Sequence, residues 1–263
     1  MDIGLNGKVV VVTGAGGGVG RAIALAFAKA GAHVAVNDVL AAGLEETRTM
    51  IEAAGARAHA QVADISDAAQ MAAWVEAVSS SLGTIDVLVN NAAVMTAVGP
   101  FADIDPAAWE RDIRIGLLGT LTCTRAVLQH MLKRGKGGSI INIASDAGRA
   151  GNGNLVGYSS TKGGVMGFTK ALAQEVGPAG IRVNAVSPGS VHAPMRDQVL
   201  RDIEDRLGQE GVEEREAKRM AQVPLRRIAE PDDIAQPVLF FASALSRHVT
   251  GQVLSVNGGF RMY

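Results

Sequence analysis

Cysteine occurs once in this 263-residue sequence, as Cys123, which rules out an internal disulfide and a multi-cysteine metal site. It lies in the helical run LTCTRAV, where a buried, inert thiol is expected. Neither sign of charge is in excess: 25 basic residues stand against 26 acidic ones, so no field draws in nucleic acid or an anionic membrane. No apolar stretch reaches the ~18 uninterrupted residues of a membrane span. The opening MDIGLNGK lacks the basic-then-apolar build of a signal peptide. Linkers, low-complexity tracts and internal repeats are also missing. These absences lead to the expectation of one domain over residues 1–263, in the cytoplasm, with a small molecule as its partner.

What is present is a globular composition, 48% apolar and 19% charged, arranged as alternating β-rich and helical runs. KVVVVTG carries an unbroken apolar run over residues 9–12 that ends in glycines, as in a strand covered on both faces. Residues 20–30 follow, with Val19, Ile23, Phe27 and Ala30 at helical spacing and Gly31 as the stop. Then come a strand at 33–37, a helix at 41–54, a strand at 57–62, and a helix at 66–82 with Ser66 as N-cap. A strand at 85–90 precedes a long helix that opens on Asp105 and Pro106 and runs to about residue 134. Strands at 139–144, 182–186 and 252–256 alternate with helices at 158–175 and 232–244. Pro237 lies inside the last helix and predicts a kinked first turn or a late start. Seven strands separated by helices predict a parallel, doubly wound α/β sheet, because parallel neighbours need crossover connections. Residues 195–222, dense in Arg, Glu and Asp, read as one or two amphipathic helices at a place suited to a small substrate lid.

TGAGGGVGR joins the first strand to the first helix. A glycine turn there exposes backbone N–H groups and a helix N-terminus to a pyrophosphate. Gly14 allows the tight turn, Gly18 the close approach, and Gly20 the packing of helix on strand. Asp38 ends the second strand, where a carboxylate accepts hydrogen bonds from the adenosine ribose and repels a 2′-phosphate. No Arg or Lys follows Asp38 or lies within the glycine turn, so the cofactor expected of this Rossmann-type sheet is NAD.

GYSSTKGG at 157–164 places Tyr158 and Lys162 four residues apart, hence on one face of a helix. A free phenol has a pKa of about 10. A nearby ammonium and a cationic nicotinamide are expected to lower it, so that the phenol can take a hydroxyl proton.

TGxxxGxG at 13–20, NNAA at 90–93, Ser145, Tyr158-x-x-x-Lys162 and Pro188-Gly189 together resemble the classical short-chain dehydrogenases/reductases across nearly the whole chain. The resemblance implies a Ser145–Tyr158–Lys162 catalytic set, in which Ser145 holds the reacting oxygen and Lys162 also binds the nicotinamide ribose. It further implies a cofactor site drawn from Gly14, Gly18, Val19, Gly20, Asp38, Asp64, Ile65, Asn90, Pro188, Gly189 and Val191, without a metal. PLRRIAEPDDIA at 224–235 and TGQVLSVNGG at 250–259 resemble the family's C-terminal signature and imply a homotetramer. The implied reaction is NAD-dependent interconversion of a secondary alcohol and its ketone, the substrate alicyclic or otherwise apolar. A non-catalytic NAD(H)-binding protein and a 3-oxoacyl-thioester reductase are the alternatives.

The sequence departs from the family pattern at Gly116 in WERDIRIGLLGT, where the family has an asparagine that holds a water beside the catalytic lysine. Glycine has no side chain for this, which leaves freed backbone carbonyls to hold the water. Ala193 stands where threonine is common. Asp146 and Arg149 are read either as substrate contacts or as a loop ion pair, and His192 as solvent-exposed or facing the pocket. Val94, Met95 and Met195 suggest an apolar pocket.

Overall fold

The computed structural model describes residues 3–263. Its strands are β1 (Val9–Thr13), β2 (His33–Asp38), β3 (Ala58–Val62), β4 (Ile85–Asn90), β5 (Gly138–Ile143), β6 (Ile181–Pro188) and β7 (Val253–Val256). They form one seven-stranded parallel sheet in the order β3-β2-β1-β4-β5-β6-β7. Strand β1 explains why VVVV carries no polar alternation. Val10 and Val12 join one core with Phe27, Ile51 and Ile234, whereas Val9 and Val11 join the opposite core with Trp74, Met131 and Val183. Successive side chains point to opposite faces, so covering both faces makes every position apolar.

Helices α1 (Gly18–Lys29), α2 (Ala41–Ala53) and α9 (Pro231–Ala242) cover the first face. Helices α3 (Ala68–Leu82), α5 (Thr120–Arg134) and α7 (Val156–Val176) cover the second. Strand β1 pairs with β2 on one side and β4 on the other, so the chain reverses its winding there. That reversal opens a crevice at the carboxyl ends of the strands. Thr13, Asp38, Asn90 and Pro188 end their strands at this edge, and Ser145 follows β5 there. Among the described residues no helix is long and apolar enough to cross a membrane.

Several boundaries differ from the sequence expectation. Helix α3 begins at Ala68, and its N-cap is Asp67 rather than Ser66. The Asp67 carboxylate accepts from the N–H groups of Ala69 (2.8 Å) and Gln70 (3.1 Å), meeting two of the donors that a helix start leaves free. Ser66 is taken by Asp64. The long helix to residue 134 opens on Asp105 and Pro106 as expected but is not one α-helix. Helix α4 (Pro106–Ile113) passes through a π-helical stretch, Arg114–Gly119, into α5. The wider turn falls where the backbone is pressed against neighbours: a Cβ on Gly119 would stand 2.7 Å from Ile65 Cδ1.

Helix α9 starts at Pro231, so its start is not late. The Asp233 carboxylate accepts from the Glu230 N–H (2.8 Å) and fixes that start, and Pro237 lies in the interior at the cost of one backbone bond. The charged run is α8 (Pro194–Gln222), two helical pieces meeting at Gly208, whose φ of 71° and ψ of 176° suit glycine. A short α6 (Asp146–Ala150), absent from the expectation, follows β5.

Candidate active site

Strand β1 delivers the glycine turn directly against the turn that follows β4. Gly14 has φ +64°, and a Cβ on it would stand 2.7 Å from the Ala92 Cα. A Cβ on Gly20 would lie 2.2 Å from the Gly14 carbonyl oxygen, so α1 can start here only with glycine. The Thr13 hydroxyl accepts from the N–H groups of Asn91 (3.0 Å) and Ala92 (3.1 Å). The Asn91 amide in turn donates to the carbonyls of Thr13 and Gly14, both at 2.9 Å. Thr13 and Asn91 are thus the residues that stitch the turn, and sequence reasoning passed over both. Asn90 is buried instead in a polar ladder: its amide donates to Thr124 and Asn142 (2.8 Å each), and Asn142 donates to Thr169 (2.9 Å).

The carboxylates on this side are engaged by backbone. Asp38 accepts from the N–H of Gly16 (2.9 Å) and of Leu40 (3.0 Å). Asp64 accepts from the N–H and hydroxyl of Ser66, both at 2.8 Å, and buried Ile65 packs on Gly119. Arg21, just past the turn, is spent on Thr47 (2.9 Å), the Gly16 carbonyl (2.7 Å) and Glu46 (2.7 Å). Val19 is half-buried against the core. Beyond β6 the Gly189 N–H donates to the Val256 carbonyl (3.0 Å), and Val191 forms a bridge with Ala229. The chain then returns to the glycine turn, where Pro194 comes close to Gly18. Glycines that leave no room for a Cβ, a helix N-terminus and a carboxylate at the end of β2 are features that fit a dinucleotide.

Ser145 is the N-cap of α6, its hydroxyl accepting from the Ala147 N–H (3.2 Å). It also acts on the hydroxyl of Tyr158, favouring the phenolate. Tyr158 sits in the first turn of α7, and Gly157 beside it allows α4 to approach: a Cβ there would stand 2.6 Å from Trp109 Cβ. Lys162, 3% exposed, donates from Nζ to the Ile143 carbonyl (2.7 Å) and lies 5.8 Å from the centre of the Tyr158 ring. The expected lowering of the phenol by the ammonium is not what dominates. Burial pushes the Tyr158 phenol up to about 12; the Ser145 hydrogen bond opposes this and the charge of Asp112 adds to it. Burial also lowers Lys162 to about 8.

Asp112 is a buried carboxylate that the sequence reading did not single out. It accepts from the N–H and hydroxyl of Thr96 (2.8 Å each) and from the Ala97 N–H (3.4 Å), fixing the loop that carries Val94 and Met95. Gly116 lies in the π-helical stretch with its carbonyl accepting from the Thr120 hydroxyl (2.9 Å). A Cβ on Gly116 would stand 2.6 Å from Thr161 Cγ2, so Thr161 already fills the space into which a side chain would grow. Asp146 and Arg149 form no ion pair with each other. Asp146 accepts from the Ser187 hydroxyl (2.9 Å) and the Asn257 amide, while Arg149 donates to the Val253 carbonyl (2.7 Å) and stacks 4.6 Å from the Tyr263 ring centre. His192 is exposed, 3.9 Å from Glu230, and Cys123 is buried with its thiol pushed up to about 12.

A family model described as enoyl-(acyl carrier protein) reductase matches residues 14–261. The chain belongs to the short-chain dehydrogenase/reductase family. It is 40% identical over 261 residues, 99% of each chain, to the (2S)-[(R)-hydroxy(phenyl)methyl]succinyl-CoA dehydrogenase subunit BbsD of Thauera aromatica. The solved structure of levodione reductase superposes with a TM-score of 0.91 at 33% identity, covering 97% of each chain. A structure from Beutenbergia cavernae, assigned as an NAD(P)-dependent gluconate 5-dehydrogenase with NADP bound at low occupancy, superposes with a TM-score of 0.89 at 35% identity and 99% coverage of each chain. As a member of this family the protein is an oxidoreductase that uses a nicotinamide cofactor.

Proposed function

We propose that this protein is an NAD-dependent dehydrogenase that interconverts a secondary alcohol, alicyclic or otherwise apolar at its reacting end, and the corresponding ketone. One observation carries the reading: Ser145, Tyr158 and Lys162 stand at the same carboxyl edge of the sheet as the glycine turn and Asp38. Gly14, Gly18, Val19 and Gly20 on the turn, with Asp38, Asp64 and Ile65, would hold the adenosine and pyrophosphate. Pro188, Gly189, Val191, Tyr158 and Lys162 would serve the nicotinamide end, with Asn90 supporting the site from the interior through its bonds to Thr124 and Asn142. Bound there, the dinucleotide supplies the hydride acceptor or donor, and in its oxidised form a positive charge.

Tyr158 does the proton work. In oxidation its oxygen accepts the proton of the alcohol hydroxyl; in reduction it gives a proton to the ketone oxygen. The Ser145 hydroxyl orients the reacting oxygen. With a phenol near 12, Tyr158 is a donor at neutral pH, so its own titration favours reduction there and oxidation in alkaline solution. Lys162 is held by Ile143, and an onward proton path would run through a water held by backbone carbonyls near Gly116 rather than by a side chain at that position. The preference for NAD is supported by Asp38 and by the engagement of Arg21 with Gly16, Thr47 and Glu46. Helix α8 acts as the substrate lid, hinged at Gly208. Exposed Phe240, Leu245 and Leu254 on the C-terminal elements suit assembly as a homotetramer.

The test is purified protein with NAD and a panel of secondary alcohols, followed by NADH absorbance, together with the reverse reaction on the matching ketones. Turnover of none of them would remove the proposal.

A further inference from the structure

Arg219, on the second half of α8, lines a cleft of about 170 Å³ with Ser190, Leu225, Asn257 and Phe260. Its guanidinium stands 5.1 Å from the centre of the Phe260 ring, and the guanidinium of Arg261 stands 5.4 Å from the same ring. Among the described residues neither arginine side chain forms an ion pair or a hydrogen bond. The nearby carboxylates are engaged elsewhere: Asp233, which lines the same cleft, holds Arg227, Glu216 holds Arg196, and both oxygens of Asp146 are taken by Ser187 and Asn257. Burial lowers the pKa of Arg219, and Arg215, Arg196 and Arg261 act in the same direction, with only Asp146 opposing. A half-buried guanidinium among other cations, with its N–H donors unused, lacks an acceptor that water supplies only in part.

The cleft is linked through Asn257 to the residue beside Ser145. Asp146 follows Ser145, and Ser190 follows Gly189 on the segment next to the glycine turn. The Asn257 amide bonds both the Asp146 carboxylate and the backbone carbonyl of Arg261 (2.8 Å), so the chain end is anchored to the residue beside the serine. We propose that Arg219 and Arg261 form an anion-binding subsite that receives a carboxylate or phosphate at the far end of the substrate. This rests on the dehydrogenase reading and extends it: the end that meets Tyr158 is apolar, and the remote end is acidic. A planar guanidinium binds either group through two parallel hydrogen bonds, and stacking on Phe260 keeps both forks from collapsing into solvent.

The test is calorimetry on the full chain with NAD present, using cyclohexylacetate, cyclohexyl phosphate and neutral cyclohexylacetamide as probes. At least one anion is expected to bind about tenfold more tightly than the amide, the ratio given by one charge-assisted hydrogen bond. Whichever anion shows the larger ratio identifies the group the subsite is built for. Arg219→Gln should abolish the preference and Arg219→Lys should retain part of it. Arg261→Gln, at an exposed position, tests the subsite even where Arg219→Gln melts early. Equal binding of anion and amide, no binding of either anion, or a preference that survives both glutamine variants overturns the subsite. Turnover of neutral alcohols without an anion preference removes the subsite and leaves the dehydrogenase standing. An anion preference without turnover of any alcohol does the reverse.

Discussion

The glycine turn and the arginine cleft lie along one edge of the same sheet and treat their polar groups in opposite ways. At the turn, Asp38, Asp64, Arg21 and Asn91 each have named partners between 2.7 and 3.0 Å. Gly14 and Gly20 there leave no room for a side chain. At the cleft, Arg219 and Arg261 rest on a shared aromatic ring, and the helix that carries Arg219 bends at Gly208. A region that is hydrogen-bonded before any ligand arrives is built for one invariant shape, and pre-organisation of that kind favours a common cofactor. A region with unused donors on a hinged helix is completed by what it binds. The contrast suggests that this protein fixes its cofactor rigidly and reads its substrate through charge.

The comparison can be broken in order of expected effect. Tyr158→Phe removes the proton carrier and should lower kcat for alcohol oxidation by about a thousandfold, with the melting temperature moved by only a few degrees; steady-state kinetics and a thermal melt check both. Gly20→Ala forces a Cβ to within 2.2 Å of the Gly14 carbonyl, so it should lower NAD affinity by at least about tenfold through a strained turn. Titration of NADH fluorescence reads this, and unchanged affinity would show that the turn is not the rigid element described. Asp112→Asn is smaller. Removing that charge lowers the Tyr158 pKa from about 12. Oxidation needs the deprotonated phenol, so its rate should rise at lower pH in the variant. The measurement is kcat/KM for oxidation against pH, and a shift to the alkaline side would contradict the assigned role.

These effects differ in how far the sequence announced them. Strands buried on both faces produce unbroken apolar runs such as VVVV, and a strand–glycine–helix order is local, so β1, the turn and Asp38 were legible. Tyr158 and Lys162 were legible because helical spacing alone puts them on one face. The choice between Ser66 and Asp67 as N-cap was not, since adjacent capping residues compete and only backbone geometry selects between them. Asp112 was hidden because WERDIRIG reads as a solvated charged face; its burial depends on Thr96 and Ala97 in a separate loop. The role of Asn91 was lost to its neighbour Asn90, whose side chain points into the interior ladder. The raising of the Tyr158 phenol by burial was not legible, because pairing with an ammonium can be read from spacing, whereas desolvation depends on the complete packed fold. The stacking of Arg219 and Arg261 on Phe260 joins a mid-chain helix to the chain terminus, and no local pattern encodes it.

The most direct test of the account is the ratio of kcat/KM for NAD and NADP on one secondary alcohol, measured in the wild type and in Asp38→Ala. The account predicts that the wild type oxidises the alcohol with a preference for NAD of at least about tenfold, and that the preference shrinks when the carboxylate is removed. A wild type that prefers NADP, or a ratio that Asp38→Ala leaves unchanged, would contradict it.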